Sequence, residues 1–259
     1  MNVLKEPMIA DNFEVTSETS DKSVFSIPHV QESQKSPSPG FITDDVQIID
    51  LGPSILTKSQ QMYLPFKRLI DIIGAFLALI LFSPIILFTA IAIKIDSRGA
   101  VFFRQVRVGQ NMKPFTMFKF RSMVNDADTM KDKLTHLNES EGPFFKIKDD
   151  PRVTKVGRFI RKFSIDELPQ FANVLLGHMS LVGPRPPLYR EVALYTPEQL
   201  KNLGIKPGIT GYWQVGGRNA STTSRIQLDT QYIAEFNLAI DMMLLLKTPV
   251  AVFKRRGAS

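Results

Sequence analysis

Cysteine is absent from this chain, which excludes a disulfide framework and a thiolate metal site. Histidine is almost as scarce, because His29, His136 and His178 are the only three and lie far apart. Their spacing disfavours a zinc hydrolase, whose histidine ligands sit close together in a short motif. The length of 259 residues allows one domain with a core of its own and additional segments.

Negative charge is also scarce over most of the chain. Residues 1–60 carry four lysines and nine acidic residues, a net charge of −5, whereas residues 61–259 carry 28 Lys and Arg against 16 acidic residues, a net charge of +12. A basic body suits anionic lipid, a nucleotide phosphate or nucleic acid equally well. Residues 1–60 are rich in Ser, Thr, Pro and acids and lack a helical or strand period, so we predict a disordered acidic N-terminal tail.

Long apolar runs are rare as well, and one run has membrane-spanning length. Residues 69–93 contain a single charge, Asp71, and their 25 residues would cross a hydrocarbon core of about 30 Å as a helix. Pro84, preceded by Ser83, lies near the midpoint and removes one backbone donor, so the helix should bend there. Basic residues flank both ends: Lys67, Arg68, Lys94, Arg98, Arg104 and Arg107. The positive-inside rule places both ends on the cytoplasmic side.

One segment satisfies both flanks only if it turns back. We therefore predict a re-entrant anchor within residues 61–97, made of a helix over 69–82, a break at Ser83-Pro84 and a helix over 85–95. Each half is about 16–21 Å long at 1.5 Å per residue, which is the depth of one leaflet. A proline-kinked spanning helix is the alternative, since membrane helices tolerate proline. No second apolar run of this length follows, so a polytopic protein is not expected.

A basic and aromatic segment follows the anchor. Residues 101–123 read VFFRQVRVGQNMKPFTMFKFRSM, and they predict two strands, 101–108 and 115–120, joined by a turn. Interfacial chain with aromatic rings among lipid headgroups is the alternative. In a strand, Lys119 and Arg121 would point the same way. Such a strand pair could also stack single-stranded nucleic acid, but the neighbouring anchor makes lipid or nucleotide phosphate the nearer partner.

The most informative segment is residues 164–186, SIDELPQFANVLLGHMSLVGPRP. Its adjacent carboxylates, Asp166 and Glu167, would raise each other's pKa, so stability alone seldom accounts for such a pair. Ser164 and Glu167 match a capping box, but a helix capped by Ser164 would place Pro169 where its missing N–H breaks a hydrogen bond. A helix starting at Asp166 avoids this conflict.

The helix from Asp166 would run to about Leu176 and close at Gly177. Capping then accounts for Asp166 and leaves Glu167 without a role. A bound divalent cation or a nucleophilic function would each explain the pair.

Two arginines near the pair are candidate phosphate ligands. Arg185 lies between Pro184 and Pro186, which fix the backbone on either side and pre-organise the guanidinium for bidentate phosphate contact. An ordinary surface turn is the alternative. Arg161 falls about one helical turn before Asp166, where an ion pair with a surface acid is the alternative.

Several motifs, FFRQVRVG, FKFRSM, DDPRVTKVGRFIRKFSIDELPQFANVLLGHMSLVGPRP and KPGITGYWQVGGRN, together resemble the bacterial sugar transferase family. The likeness is to its small monotopic polyprenyl-phosphate phosphoglycosyl transferases of the hexose-1-phosphate type, which initiate exopolysaccharide assembly. It covers about residues 62–259 and includes the Ser-Pro break. It implies a mixed α/β, helix-rich fold, in which the re-entrant anchor carries a small cytoplasmic catalytic domain, residues 98–259, with interfacial helices.

The resemblance also implies a two-step reaction. Asp166 would attack the sugar-bearing phosphorus of a UDP-sugar, UDP-glucose or UDP-galactose, and UMP would leave. Polyprenyl (undecaprenyl) phosphate would then take the sugar phosphate from Asp166. Glu167 would bind Mg²⁺, for which Mn²⁺ could substitute, and the metal with arginines would offset the charge of the diphosphate.

Further substrate contacts are implied on matched positions. These residues are Lys119, Arg121, Arg161, Arg185, Gln214, Arg218, Asn219 and Asp229. The loop over residues 211–219 contains the only tryptophan, Trp213, for which core packing is the alternative to a nucleotide or sugar contact.

The expected partners are a UDP-sugar, polyprenyl phosphate and inner-membrane lipid, at the cytoplasmic face of the bacterial inner membrane. Nucleic acid is not expected, and a homodimer is left open. The alternative function is a membrane-anchored scaffold of a polysaccharide assembly complex, which would keep its function after Asp166→Asn.

Overall fold

The computed structural model of the chain describes residues 55–139, 147, 149–216 and 222–254. The predicted acidic tail, residues 1–60, therefore lies almost entirely outside the described residues. The described part is a helix-rich mixed α/β fold, as predicted.

Nine α-helices and four short strands make up the described part, with short 3₁₀ turns between them. The helices are α1 (Lys58–Asp96), α2 (Ala127–Lys131), α3 (Lys155–Lys162), α4 (Gln170–Leu175), α5 (Tyr189–Val192), α6 (Pro197–Leu200), α7 (Tyr212–Gly216), α8 (Thr222–Glu235) and α9 (Leu238–Phe253). The strands are β1 (Phe102–Val108), β2 (Pro114–Phe120), β3 (Ser180–Val182) and β4 (Gly208–Thr210). Among these described elements, α1 alone is long and apolar enough to cross a membrane, judged by length and composition.

Helix α1 is unbroken through its two internal prolines. Pro84 cannot donate a hydrogen bond to the carbonyl of Ile80, four residues earlier. The hydroxyl of Ser83 donates to that carbonyl instead, at 2.8 Å, so the acceptor that proline leaves free is satisfied within the helix. The prediction of two helices, 69–82 and 85–95, separated by a break is therefore wrong, whereas the re-entrant path stays a prediction.

One face of α1 is buried against the rest of the chain in two stretches, residues 60–75 and residues 89–93. Near the start, Arg68 donates to the carbonyls of Val174 and Leu175 at 2.7 and 3.0 Å, and at the end Asp96 accepts from the amide of Val156 at 3.1 Å. The buried positions recur along this face: Gln60, Lys67, Asp71, Ala75, Thr89 and Ile93. The opposite face exposes large apolar side chains: Leu69, Ile73, Phe76, Ile80, Leu87, Phe88, Ile91 and Ile95.

The single charge of the apolar run has a structural partner. Asp71 is buried, and its carboxylate accepts from the Ser180 hydroxyl at 2.9 Å and from the Leu181 amide at 2.8 Å. These bonds attach α1 to β3. A carboxylate in an apolar run is thus explained by hydrogen bonds to the domain.

A second buried carboxylate joins three helices. Asp241 on α9 accepts from Lys67 Nζ at 2.5 Å, from the Tyr63 hydroxyl at 2.9 Å and from the Tyr232 hydroxyl at 2.7 Å. Lys67 and Tyr63 lie on α1, and Tyr232 lies on α8. The three donors and their acceptor form the main polar connection between the start of α1 and the C-terminal helices.

The predicted strand pair is confirmed. Strands β1 and β2 are antiparallel, with Phe102 opposite Phe120 and Val108 opposite Pro114. Asn173 on α4 attaches to this hairpin, since its side chain donates to the carbonyl of Thr116 at 2.7 Å and accepts from the amide of Phe118 at 2.9 Å. The hairpin therefore lies against the segment that follows Asp166 and Glu167.

Of the three apolar clusters in the described residues, two pack around the segment that carries the carboxylate pair. The larger one lies between α4, β3, α8 and α9 and includes Val174, Met179, Val182, Tyr232, Phe236 and Leu244. The smaller one joins the end of α1 to β2 and α3 through Ile93, Phe120 and Ile160, with Ile165 packed against it. Because Ile165 directly precedes Asp166, the smaller cluster fixes the backbone at the carboxylate pair.

Candidate active site

The two adjacent carboxylates lie on a 3₁₀ turn, Ile165–Glu167, between α3 and α4. The predicted helix starting at Asp166 is wrong at its N-terminus, because α4 begins at Gln170 with Pro169 as its N-cap. Proline lacks the N–H that a later position would need, so the α-helix cannot include it beyond the first turn. The predicted end is confirmed, since Gly177 adopts a φ of 84° directly after the helix.

The turn begins at a strained residue. Ser164 has a φ of 55°, in the left-handed region that serine rarely adopts. A non-glycine residue in this conformation costs about 1–3 kcal/mol and persists only where surrounding contacts compensate, often at functional sites. Ile165, the residue after Ser164, packs against the smaller cluster and supplies such contacts.

Glu167 forms an ion pair with the hairpin. Lys119 Nζ on β2 lies 2.8 Å from Glu167 Oε1. The side chains keep 24% and 34% of their surface exposed, and ion pairs in contact with water contribute little to stability. The two groups can therefore separate at small cost.

Asp166 has an unusual acidity. Burial of the carboxyl in the surrounding protein raises its pKa to about 6. The negative charge of Glu167 also raises this pKa, whereas the positive charges of Lys119 and Arg161 lower it. The side chain still reaches solvent, because it is only partly buried. Four residues singled out in the sequence, Asp166, Glu167, Lys119 and Arg161, are thus brought within mutual electrostatic range.

Arg185 is held from three directions in the segment after β3. Its Nη1 lies 3.2 Å from Glu191 Oε2, its backbone amide donates to Asp229 Oδ2 at 3.3 Å, and its guanidinium carbon lies 5.8 Å from the centroid of the Trp213 ring. Its side chain remains 25% exposed, so a ligand can reach it. The arrangement is rigid and accessible, as a phosphate ligand requires.

Asp229 lies behind Arg185 and is buried. Burial raises its pKa to about 7, although the Arg185 amide and the charges of Arg185 and Arg225 lower it. Its Oδ1 has no hydrogen-bond partner in the described part of the chain. Asp229, Arg185 and Asn202 line a cavity of about 10 Å³, close to the space of one water molecule.

Arg107 is a residue of this site that the sequence reasoning missed. It is buried at the end of β1, and its Nη1 donates to the carbonyl of Pro186 at 3.0 Å, next to Arg185. The amide of the following residue, Val108, donates to the carbonyl of Pro187 at 3.0 Å. Burial and the charge of Arg185 lower the pKa of Arg107 to about 9. The signal that could have identified Arg107 is its strand position, which faces inward, because a charged side chain is rarely buried without a specific partner.

Arg225 was missed as well. Its guanidinium carbon lies 5.3 Å from the centroid of the Trp213 ring, so two arginines, Arg185 and Arg225, contact the single tryptophan. Both contacts are of the cation–π type, which favours arginine on tryptophan. Trp213 is therefore a platform for cations and is only partly buried.

Comparison with known proteins agrees with this geometry. A family model for bacterial sugar transferases matches residues 62–255, a stretch that includes the carboxylate pair, the hairpin and the Arg185 segment. The chain belongs to the bacterial sugar transferase family. The match begins inside α1 and ends just after α9.

Named relatives of the chain fall into two groups by length. The galactosyl transferase CpsE of Streptococcus agalactiae is 45% identical over 80% of this chain and 47% of its own length. The undecaprenyl-phosphate galactose phosphotransferase of Salmonella typhimurium is 41% identical over 84% of this chain and 46% of its own length. The exopolysaccharide production protein ExoY of Rhizobium meliloti is 40% identical over 74% of this chain and 87% of its own length. The chain thus spans about half of the first two relatives and most of the third.

Not every predicted residue of the sugar transferase joins the site. Arg121 is buried, and its guanidinium donates to the carbonyls of Ser97, at 2.9 Å, and Arg98 at the end of α1. These bonds satisfy carbonyls at a helix terminus and give Arg121 a role in the fold, whereas its substrate contact stays a prediction. Gln214 lies with its amide nitrogen 3.5 Å from the carbonyl of Ile209. Arg218 and Asn219 lie outside the described residues.

The donor set at the carboxylate pair can be compared with the needs of a metal ion. In the described ranges, no group of three or more His, Cys, Asp or Glu side chains could hold a metal. Magnesium is commonly bound by one or two protein carboxylates together with substrate phosphates. Asp166 and Glu167 therefore fit a metal that is shared with a phosphorylated substrate better than one held by the protein alone.

Proposed function

We propose that this sugar transferase moves a hexose 1-phosphate from a UDP-sugar to polyprenyl phosphate, releases UMP and initiates exopolysaccharide assembly. The observation that carries the proposal is the position of Asp166, a partly exposed carboxylate of raised pKa among Glu167, Lys119 and Arg161. The names of the relatives, which include a galactosyl transferase and an undecaprenyl-phosphate galactose phosphotransferase, support the same reaction class.

In the first step Asp166 acts as the nucleophile. One carboxylate oxygen attacks the sugar-bearing phosphorus, the bond from that phosphorus to the bridging oxygen breaks, and UMP departs with the electron pair. Lys119 and Arg161 lie where they would offset the negative charge that gathers on the phosphoryl oxygens. The product of this step is a hexose phosphate joined to Asp166 as an acyl phosphate diester.

In the second step the acceptor releases the enzyme. A phosphate oxygen of polyprenyl phosphate attacks the same phosphorus, the bond to Asp166 breaks, and the carboxylate is regenerated. The lipid leaves as a polyprenyl diphosphate sugar. No proton transfer is needed in either step, so Lys119 and Arg161 can act on the phosphoryl group through their charge alone.

Arg185 would bind a phosphate of the donor. Glu191 and Trp213 contact its guanidinium and Asp229 accepts from its backbone amide before substrate arrives, so little conformational entropy is lost on binding. Arg107 supports this position through the carbonyl of Pro186. Glu167 would hold Mg²⁺, or Mn²⁺ in its place, and the metal would supply positive charge at the diphosphate.

The membrane anchor is proposed to be monotopic, with both ends of α1 at the cytoplasmic face of the bacterial inner membrane. A helix that crossed the bilayer would carry one end about 30 Å away from the domain. Contacts at Arg68 and at Asp96 join both ends of the apolar run to the same domain, which supports a path that returns to one face. Helix α9 adds an exposed apolar stripe suited to the same interface: Leu238, Met242, Leu246, Val250 and Phe253.

Cysteine labelling tests this topology, since the native chain has no cysteine. Single cysteines at Ser59 and Arg98, both exposed and on either side of the apolar run, should react with a membrane-impermeant thiol reagent only from the cytoplasmic side. Leu81→Cys, whose native side chain is 71% exposed, controls for burial in lipid and should not react from either side. Labelling of Ser59→Cys and Arg98→Cys from opposite sides would overturn the monotopic path.

The reaction itself is tested with a panel of UDP-sugars. We expect UMP release with UDP-galactose or UDP-glucose in the presence of Mg²⁺ and polyprenyl phosphate. Without the lipid acceptor, intact-mass spectrometry should detect one hexose phosphate on the chain, located at Asp166 after proteolysis. UMP release without any adduct would favour direct transfer, and the absence of both would remove the proposed activity.

The pH dependence follows from the acidity of Asp166. Only the ionised carboxylate attacks, so kcat/KM for UMP release should rise tenfold per pH unit below a pKa of about 6 and level off above it. Initial rates at low UDP-sugar concentration measure this limb. Asp229, with a pKa of about 7, is the competing group, so the limb near 6 should persist in Asp229→Asn. A limb that disappears with Asp229 would assign the ionisation to that residue.

A further inference from the structure

We infer that a divalent cation binds this chain only together with the nucleotide, because Lys119 holds Glu167 in the nucleotide-free protein. The inference rests on the proposed function for the identity of the nucleotide and of the metal ligand. It concerns the order of binding, which the reaction scheme leaves undetermined.

The first observation is the ion pair itself. Lys119 Nζ lies 2.8 Å from Glu167 Oε1 and so places a positive charge at the carboxylate oxygen that a metal would need. A metal can bind there only after the ammonium group has moved. Both side chains are partly exposed, so the ammonium group can move once another anion is available to receive it.

The second observation is the balance of charge around the pair. Asp166 and Glu167 face Lys119 and Arg161, and Arg107 is close enough to Glu167 for their charges to interact. The described residues add no group of three ligating side chains to this site. Within the described residues, a divalent cation that approaches the nucleotide-free protein therefore meets two carboxylates that already interact with Lys119, Arg161 and Arg107.

A nucleotide diphosphate reverses this balance. Its negative oxygens give Lys119 a new partner, so the ammonium group moves away from Glu167 and a metal can approach that carboxylate. The same oxygens supply the remaining metal ligands, as phosphates commonly do for magnesium. Binding of each ligand then favours binding of the other by the same factor, as linkage requires. Lys119 acts in this scheme as a positioning residue, which holds Glu167 until the diphosphate arrives.

Binding of Mn²⁺ tests the inference without any turnover. Mn²⁺ is titrated into the detergent-solubilised full chain, and free Mn²⁺ is followed by electron paramagnetic resonance, first alone and then with UDP, which lacks a transferable sugar. Without UDP we expect no saturable site below about 1 mM Mn²⁺, and with UDP one Mn²⁺ per chain beyond the amount bound by UDP in buffer. A saturable site in the UDP-free protein at tenfold lower Mn²⁺ concentration would overturn the inference.

A lysine variant tests the role of the ion pair. Lys119→Met removes the ammonium group that lies at Glu167 Oε1, so Mn²⁺ affinity in the absence of UDP should rise by about tenfold, a typical size for coupling between two sites. The matched control is Lys113→Met, an exposed position on the same hairpin with the same loss of charge, which should leave Mn²⁺ affinity unchanged. Equal changes in the two variants, or none in Lys119→Met, would show that Lys119 does not block the metal.

The outcome is separable from that of the proposed function. If the chain releases UMP from a UDP-hexose yet binds Mn²⁺ tightly without nucleotide, the reaction stands and the order of binding is refuted. If Mn²⁺ binding needs UDP and no UMP is released from any UDP-sugar, the order of binding stands and the reaction is refuted. The Mn²⁺ titration of the unmodified protein gives a result whether or not the variants fold.

Discussion

Asp166→Asn is expected to abolish both the hexose phosphate adduct and UMP release, with a loss of about 10³-fold or more in turnover, the range typical of a removed nucleophile. An amide oxygen is a far poorer nucleophile than a carboxylate and cannot form the acyl phosphate at a useful rate. The amide has almost the same shape as the carboxylate, so the turn should keep its backbone. UMP release and intact mass, measured on the same preparation, give the two readouts.

The matched control for this loss is Asp128→Asn. Asp128 is exposed on α2, and its substitution removes the same charge from the chain without touching the carboxylate pair. Its UMP release should equal that of the unmodified protein. If Asp166→Asn still loaded sugar onto lipid at the unmodified rate, Asp166 would not be the nucleophile, and direct transfer between the two substrates would become the better explanation.

Local sequence signals predicted the elements of the site well. The alternating segment before Phe120 gave the antiparallel hairpin, and Gly177 gave the end of α4, because strand alternation and left-handed glycine are both decided within a few residues. The carboxylate pair was singled out by its chemistry and by the family resemblance, and its catalytic role stays a prediction. Its placement on a 3₁₀ turn was missed, since the strained Ser164 is stabilised by packing of Ile165 against α1 and β2.

Local sequence signals could not predict contacts between residues that are far apart in the sequence. Asp71 reads as a lone charge in a membrane run, but its partners Ser180 and Leu181 lie more than 100 residues away. Arg121 carries a family-matched charge, and only the fold reveals that it binds the carbonyls at the end of α1. Arg107 reads as a flanking positive charge, whereas in the fold it supports the Arg185 segment. Each case depends on which elements pack together.

The unbroken course of α1 shows the limit of a strong local rule. Proline removes a donor wherever it occurs, yet whether the helix ends depends on what satisfies the freed carbonyl. Ser83 does so for Ile80 with a bond inside one turn. The Ser-Pro pair is thus accommodated within a continuous helix, and the proposed return to the same membrane face rests on contacts at the two ends of that helix.

Asp241→Asn is expected to cost about 3–5 kcal/mol of the free energy of unfolding, because it leaves the ammonium group of Lys67 buried without its anion. The side chains of Lys67 and Asp241 are 8% and 4% exposed. The hydroxyls of Tyr63 and Tyr232 also lose a charged acceptor. Thermal unfolding in detergent should show a midpoint lower by about 10 °C for a chain of this size.

The control is Glu198→Gln, which breaks the ion pair between Glu198 and Lys201. The side chain of Glu198 is 72% exposed and that of Lys201 is 49% exposed. No measurable change in the unfolding midpoint is expected there, because water already solvates both charges. An equal loss in the two variants would contradict the assignment of the effect to burial.

A double variant separates the orphaned charge from the lost contacts. Lys67→Met removes the buried ammonium group, so Lys67→Met combined with Asp241→Asn should be more stable than Asp241→Asn alone. If the double variant is instead less stable by the sum of the two single losses, the charges act independently. The polar connection between α1 and α9 would then owe its strength to the tyrosine hydroxyls rather than to the ion pair.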